Sequence, residues 1–251
     1  MVKVRYLFVL PGIFLLLFLA YPLTKMVFDV DPKILLDTVK EREVINSVFL
    51  TLRASLYATV AALLTGIPLA YLFARKEFPG KKILEGLIDI PVIIPHTAVG
   101  IALLTAWGRH SFISKATGLN IVGTEIAISM AMFFVSVPFL INSVKSGFRM
   151  VDPRYERTAI TLGATPWQMF YTVSLPMVKK SIFSGAIMMW GRGISEFGAV
   201  IILAYHPVTA PVLIFGRFQN FGLKYALPVT VIMIAISLIV FIVIRIYEVR
   251  K

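Results

Sequence analysis

Apolar residues in this chain run in long blocks rather than in short alternations, and the polar residues collect between the blocks. Six blocks stand out, roughly Tyr6 to Phe28, Val44 to Phe73, Ile83 to Trp107, Ile121 to Val144, Met177 to Leu203 and Tyr225 to Arg245. Each is long enough for a helix to cross a bilayer, which takes about 20 apolar residues. The pattern predicts an all-α membrane protein with about six transmembrane helices, organised as one domain over residues 1–251. Several blocks carry helix breakers. Gly66-Ile67-Pro68 is expected to break the second, Pro91 and Pro95 the third, and Pro138 the fourth, while Gly185, Gly191, Gly193 and Gly198 punctuate the fifth. Backbone groups freed in lipid are tolerated only where protein or a water-filled path covers them. Glycines also let helices approach closely. Path and tight packing both place the fifth span in the interior.

One polar stretch within the loop at about 145–176 is organised. Asp152 can cap a helix whose first turn holds Pro153, and Gly163 supplies a stop about ten residues on. Tyr155, Ala159 and Leu162 would share one face of that helix, with Arg154, Arg157 and Thr161 largely opposed. A second helix follows at once. Thr165, Pro166 and Gln168 form a T-x-x-Q capping box with proline at the first helical position, and Trp167, Phe170 and Tyr171 recur at helical spacing as far as Leu175-Pro176. Two capped helices between membrane spans read as a docking element.

Composition agrees with the hydropathy. The chain is 58% apolar, with a mean hydropathy of +0.86, more than the interior of a soluble domain of this size could hide. The net charge of +12 would suggest nucleic acid in a soluble protein. Its distribution argues otherwise. With the N-terminus inside, Lys3, Arg5, the Arg75 to Lys82 turn, the Lys145 to Lys180 region and Arg245, Arg250 and Lys251 are cytoplasmic, and they outnumber the external basic residues about two to one. Both termini are therefore expected in the cytoplasm, in a multi-pass protein of the cell membrane. Lys3 and Arg5 before an apolar run also describe a secretory signal, but the run is long for one and no small-x-small cleavage site closes it. It reads as a retained span. No cysteine is present, which excludes disulfides and thiol catalysis.

At Glu156, Ala159, Leu162-Gly163-Ala164 and Leu175-Pro176 the sequence resembles the permease subunits of binding-protein-dependent ABC importers, whose signature is E-x-A-A-x-x-L-G-A followed by L-P. Thr158 replaces the first alanine of the usual pair. Gly66-Ile67-Pro68-Leu69-Ala70-Tyr71 with Ala74-Arg75 and Phe78-Pro79-Gly80-Lys81 is similar to molybdate and sulfate permeases, as is Pro91-Val92-Ile93-Ile94-Pro95 with Thr97 and Gly100 beyond it. His96 stands where a second proline is expected. Arg192-Gly193-x-x-Glu196-Phe197-Gly198-Ala199 resembles the oxyanion branch. The resemblance covers most of residues 44–203 and implies a permease domain translocating molybdate or tungstate, with sulfate as the alternative. It further implies a cytoplasmic coupling helix between spans 4 and 5, two ATPase subunits that carry ATP and Mg, a second permease chain, and an external oxyanion-binding protein. Arg154, Tyr155, Glu156, Ala159, Leu162, Gly163 and Ala164 would meet the ATPase.

The chain itself has no G-x-x-x-x-G-K-[ST] phosphate loop, so it is not expected to be an enzyme or to hold a cofactor. Pro91, Pro95, Thr97, Gly100, Arg192, Ser195 and Glu196 are the expected path residues. Arg192 and Glu196 lie four apart, so they form either a scaffold salt bridge or an arginine offered to a passing anion and held by its carboxylate. A secondary transporter or channel using that pair is the alternative from another class. A membrane enzyme lacks any nucleophile and base constellation. On the outside, Asp31-Pro32 can begin a short mixed-charge helix, suited to a partner or to solvent. His96, His110 and His206 lack metal-site spacing and read as ordinary polar residues near span ends.

Overall fold

The computed structural model describes residues 2–118 and 120–249, and among these residues the chain forms helices and no strand. From the N-terminal side, α1 (Val2–Asp29) is followed by a short helix α2 (Pro32–Lys40), capped as expected by Asp31, and by α3 (Arg42–Arg75). Next come α4 (Lys81–Ile93), α5 (His96–Trp107), α6 (Phe112–Thr117) and α7 (Glu125–Met150). The polar element comprises α8 (Pro153–Thr161), α9 (Pro166–Met169), a π-helical segment (Phe170–Ser174) and α10 (Leu175–Met177). The chain closes with α11 (Lys179–Ile194), α12 (Gly198–Leu203), α13 (Ala210–Phe221) and α14 (Leu223–Val249). Arg250 and Lys251, part of the charge count above, lie outside the described residues.

The centre of the molecule is α3 packed on α7 and α7 on α11. Small residues let these helices meet. Ala54, Ala58 and Ala62 recur every fourth residue on α3, fully or almost fully buried, and Ala127 and Ala131 do the same on α7. In lipid, where apolar surface gains nothing from leaving water, such close backbone approach is what drives helix association. On the fifth span Gly185 faces Ser143 and Leu140 of α7, and Gly193 faces Ser55 of α3, while Gly191 is open. Packing thus accounts for Gly185 and Gly193, and Gly198 lies as closely against His96 of α5.

Among the described residues four helices are long and apolar enough to cross a bilayer, over Phe8–Asp29, Arg42–Arg75, Glu125–Met150 and Leu223–Ile242. The other two expected crossings are broken. The predicted third span, Ile83 to Trp107, is two helices meeting at Ile94-Pro95 with a bend of 115°. The predicted fifth is cut at Ser195 to Phe197 into α11 and α12. Conversely, Gly66-Ile67-Pro68 and Pro138 do not interrupt their helices. A proline removes one backbone hydrogen bond, and a helix of 34 residues, about 50 Å long and packed along much of its length, keeps its course across that loss.

One further expectation needs correction. The helix begun at Pro166 does not end at Leu175-Pro176. The π-helical segment absorbs an extra residue, and Pro176 enters at a first-turn position where no N–H is required, so the path runs on toward α11. The segment before the last span contains a helix of its own, α13.

Candidate functional site

The polar element between α7 and α11 folds as its caps dictate. Asp152 Oδ1 accepts the Arg154 N–H at 2.8 Å, with Pro153 at the first helical position. Gly163 ends the turn at φ +93°, and the Ala164 N–H returns to the Ala159 carbonyl at 3.0 Å. The Thr165 hydroxyl accepts from the Gln168 N–H at 3.2 Å, and the Gln168 side chain accepts from the Thr165 N–H at 2.9 Å, completing the capping box.

Glu156, expected among the residues that meet a partner, turns inward. It is 8% exposed. Its Oε1 accepts from Arg75 Nε and from the Ser174 hydroxyl, both at 2.9 Å, and its Oε2 from the Tyr71 hydroxyl at 3.2 Å. Arg75 also donates to the Val151 carbonyl at 3.0 Å. One carboxylate therefore ties α8 to the C-terminal end of α3 and to the π-helical segment. Around it the Tyr71 ring stands edge-on to Phe148 and Phe170, which shields the ion pair from water. Leu162 at 83% and Trp167 at 68% exposure face outward, together with Arg154, Tyr155, Arg157 and Tyr171. Ala159 and Ala164 are half-buried. The exposed set mixes large apolar and basic side chains on a helix held from behind, which suits docking to another protein. Beside it, buried Lys81 donates to the Lys76 carbonyl and to Glu77, and the hydrogen bond to Lys81 holds the Glu77 carboxyl below its ordinary value.

The second cluster lies where both broken spans are broken. Glu196 is fully buried. Its Oε2 accepts from His96 Nδ1 at 2.7 Å and lies 3.2 Å from Arg192 Nη2, while its Oε1 accepts the Ala199 N–H at 2.9 Å. Arg192 Nη2 also stands 2.8 Å from both nitrogens of the His96 ring. A carboxylate only accepts, so Nδ1 carries the proton on His96 and Nε2 is the ring nitrogen left to accept from Arg192. The Ser195 hydroxyl takes a hydrogen bond from Arg192 Nη1 at 3.2 Å and donates to the Arg192 carbonyl at 2.9 Å. Arg192 and Glu196 do pair, but not on one helix face, since α11 has ended before Glu196.

The backbones meet closely here. A Cβ on Gly198 would lie 2.8 Å from His96 Cβ, and one on Gly100 would lie 3.0 Å from the Ala199 Cα and carbonyl oxygen. Of the expected path residues, Gly100, Arg192, Ser195 and Glu196 gather at this junction with Thr97 and exposed Pro95. Pro91 is buried in α4, on the other side of the bend.

His96, read from the sequence as an ordinary polar residue, is thus the element that joins α5 to the charged pair. A carboxylate inside a span needs donors beyond a single arginine, and a histidine beside a proline break is the available signal. Asp89 was also passed over. It accepts from Asn142 Nδ2 at 2.7 Å, and one helical turn toward the start of α4 Glu85 accepts from Arg149 at 3.0 Å. Asp89 and Asn142 border an open groove of about 560 Å³ between α4, α7 and α11. At the N-terminal end of α7, Arg53 donates to Glu125 at 2.6 Å, and Arg217 on α13 pairs with Glu41 and Glu43 in the wall of a cavity of about 530 Å³. Burial alone would lower the Arg217 pKa, and its hydrogen bonds to the two carboxylates more than offset that.

Comparison with known proteins places these features. A profile of the family described as binding-protein-dependent transport system inner membrane component matches residues 66–251. The chain is 42% identical over 244 residues to the molybdate/tungstate transport system permease protein WtpB of Thermococcus kodakarensis, covering 96% of this chain and 94% of that one. It is 31% identical over 201 residues to the probable sulfate transport system permease protein cysT of Chlorokybus atmophyticus, covering 77% and 70%. A crystal structure of a bacterial ABC transporter involved in the import of the acidic polysaccharide alginate superposes with a TM-score of 0.77 over 98% of this chain and 95% of that one, at 17% identity. That likeness is one of fold.

Proposed function

Since the chain belongs to the family of inner membrane components of binding-protein-dependent transport systems, we propose that it is the transmembrane subunit of an ATP-driven importer of molybdate or tungstate, delivered by an external binding protein. The observation that carries the substrate is near full-length identity of 42% to a permease named for those two anions, against 31% over a shorter span to one named for sulfate. Sulfate, of the same shape and charge, is the second reading.

ATP and Mg belong to two separate ATPase subunits, which grip Tyr155, Leu162, Trp167 and the flanking Arg154 and Arg157. Glu156, Gly163 and the half-buried Ala159 and Ala164 set the position of that surface rather than touch the partner. A second copy of the chain completes the path, and both termini face the cytoplasm. Closure of the ATPases moves α8, and the move enters the membrane through two routes, the Glu156 contact to α3 and the path from α9 through α10 into α11, interrupted only by a turn at Val178. The path itself runs along the bend at Pro95, with exposed Thr97 and Ser195 and the edge of Arg192 on it. Glu196 stays behind as a buried counter-charge, so that the anion meets N–H donors without full ionic trapping.

Reconstitution of the chain with its ATPase and binding protein in liposomes tests this reading. ATP-dependent uptake of molybdate and tungstate, exceeding sulfate uptake at equal concentration, is expected. Preferential sulfate uptake would shift the substrate to the second reading, and uptake without any ATPase subunit would overturn the proposal.

A further inference from the structure

The break between α11 and α12 poses a mechanical problem. If α11 shifts with the cytoplasmic element, the three residues Ser195 to Phe197 can absorb the movement, and nothing obliges α12 or α5 to follow. Tight backbone packing already makes one unit of α5 and α12, through Gly198 against His96 and Gly100 against Ala199. What is needed is a link from α11 to that unit. Glu196 and Arg192 provide it. Arg192 lies on α11, Glu196 just beyond its end, and both reach His96 at the first position of α5, while the same carboxylate accepts the Ala199 N–H of α12.

We propose, on the importer reading above, that His96 is a positioning residue for transport, whose Nδ1–H bond to Glu196 makes the α4–α5 bend follow α11 when the cytoplasmic element moves. The link is neutral on the histidine side and crosses from one broken span to the other, so it can be drawn in different directions without separating a full ion pair. Arg192, its charge already matched by Glu196, keeps the imidazole in one orientation by occupying its other nitrogen. A phenylalanine at 96 would fill the same space against Gly198 and carry no donor. An asparagine would keep an N–H near the Nδ1 position.

The test uses the chain assembled with its ATPase, with single cysteines introduced at Thr97 on α5 and Met188 on α11, two exposed sites in a chain that has no native cysteine. Reactivity toward a hydrophilic thiol reagent is measured without nucleotide and with ATP trapped. In the parent both sites should change. In His96→Phe the Met188 site should still change, the Thr97 site should stay fixed, and anion uptake per ATP hydrolysed should fall by roughly tenfold, within the range a lost coupling contact removes. His96→Asn should restore both. A Thr97 response and an uptake ratio equal to the parent in assembled His96→Phe would overturn the proposal. Should His96→Phe fail to assemble, His96→Gln, whose amide reaches toward Arg192 and not toward Glu196, is expected to show the same separation, and parental behaviour there overturns it equally. The thiol readings need no anion, so they stand or fall separately from the substrate assignment.

Discussion

Glu156 and Glu196 are both carboxylates turned inward at the edge of a short helix, the first collecting donors from two other segments and the second from three, but the long-range bond in the two clusters differs in kind. At Glu156 the ion pair itself spans the distance. Arg75 comes from α3, 81 residues away in sequence, and both side chains are almost wholly buried. At Glu196 the ion pair is local, four residues along the chain, and the distant partner is the imidazole of His96, 100 residues away. A buried charge pair is costly to separate because each ion is left without solvent. A hydrogen bond from a neutral ring to a carboxylate that retains its cation can be broken and remade at far lower cost. The Glu156 cluster is accordingly built as a clamp and the Glu196 cluster as a joint, which, on the proposed function, matches a surface that holds its shape against a partner and a bend that moves.

That contrast can be broken most severely at the clamp. Glu156→Ala leaves Arg75 buried without a counter-charge and should cost about 3 to 5 kcal/mol. The expected result is a purified complex that melts at markedly lower temperature or fails to assemble, with the Glu156→Gln, Arg75→Met double variant recovering most of the loss. Melting of the single variant with the parent would remove the clamp from the account.

The joint should be more forgiving. Glu196→Gln retains an acceptor for the Ala199 N–H and strands an arginine whose side chain is a quarter exposed, so a loss of about 1 to 3 kcal/mol is expected. Arg192→Met with Glu196→Gln should restore assembly yet import the anion more slowly than the parent, because a donor edge on the path is gone. Import at the parental rate in a stably assembled double variant would leave the pair as scaffold alone.

The smallest effect on stability, and the sharpest on coupling, is expected from Gly163→Val. A Cβ there would meet nothing within 4 Å, so the cost is that of φ +93° alone, about 1 to 2 kcal/mol for a residue with a side chain. Insertion and melting should change little, while binding-protein-stimulated ATP hydrolysis drops because the helix stop next to Leu162 is displaced. Unchanged stimulation would place the ATPase contact elsewhere.

Much of this molecule was legible in the residues. Spans, caps and the turn at Gly163 are local properties, fixed by side chains within one or two turns of the backbone they serve, and the Asp152 and Thr165 caps form as read. The direction of Glu156 was not legible. A helical face shows which residues share a side, and here the side chosen for burial is settled by Arg75, Tyr71 and Ser174, which no local period connects to α8. Prolines misled for a related reason. Pro68 and Pro138 look like Pro95 in sequence, but the first two lie inside unbroken helices with neighbours packed along them, whereas Pro95 lies at a 115° turn.

What the sequence determined by itself was therefore the class of protein and its membrane-embedded, helical plan, because hydropathy and capping act at short range. Only the tertiary structure decided which breakers bend the chain, that His96 belongs to the Arg192 and Glu196 pair, and that the two carboxylates take their donors from different kinds of partner. Those outcomes depend on groups 80 to 100 residues apart meeting in a medium where an unpaired charge is costly, and that meeting is a property of the packed helices rather than of any one of them.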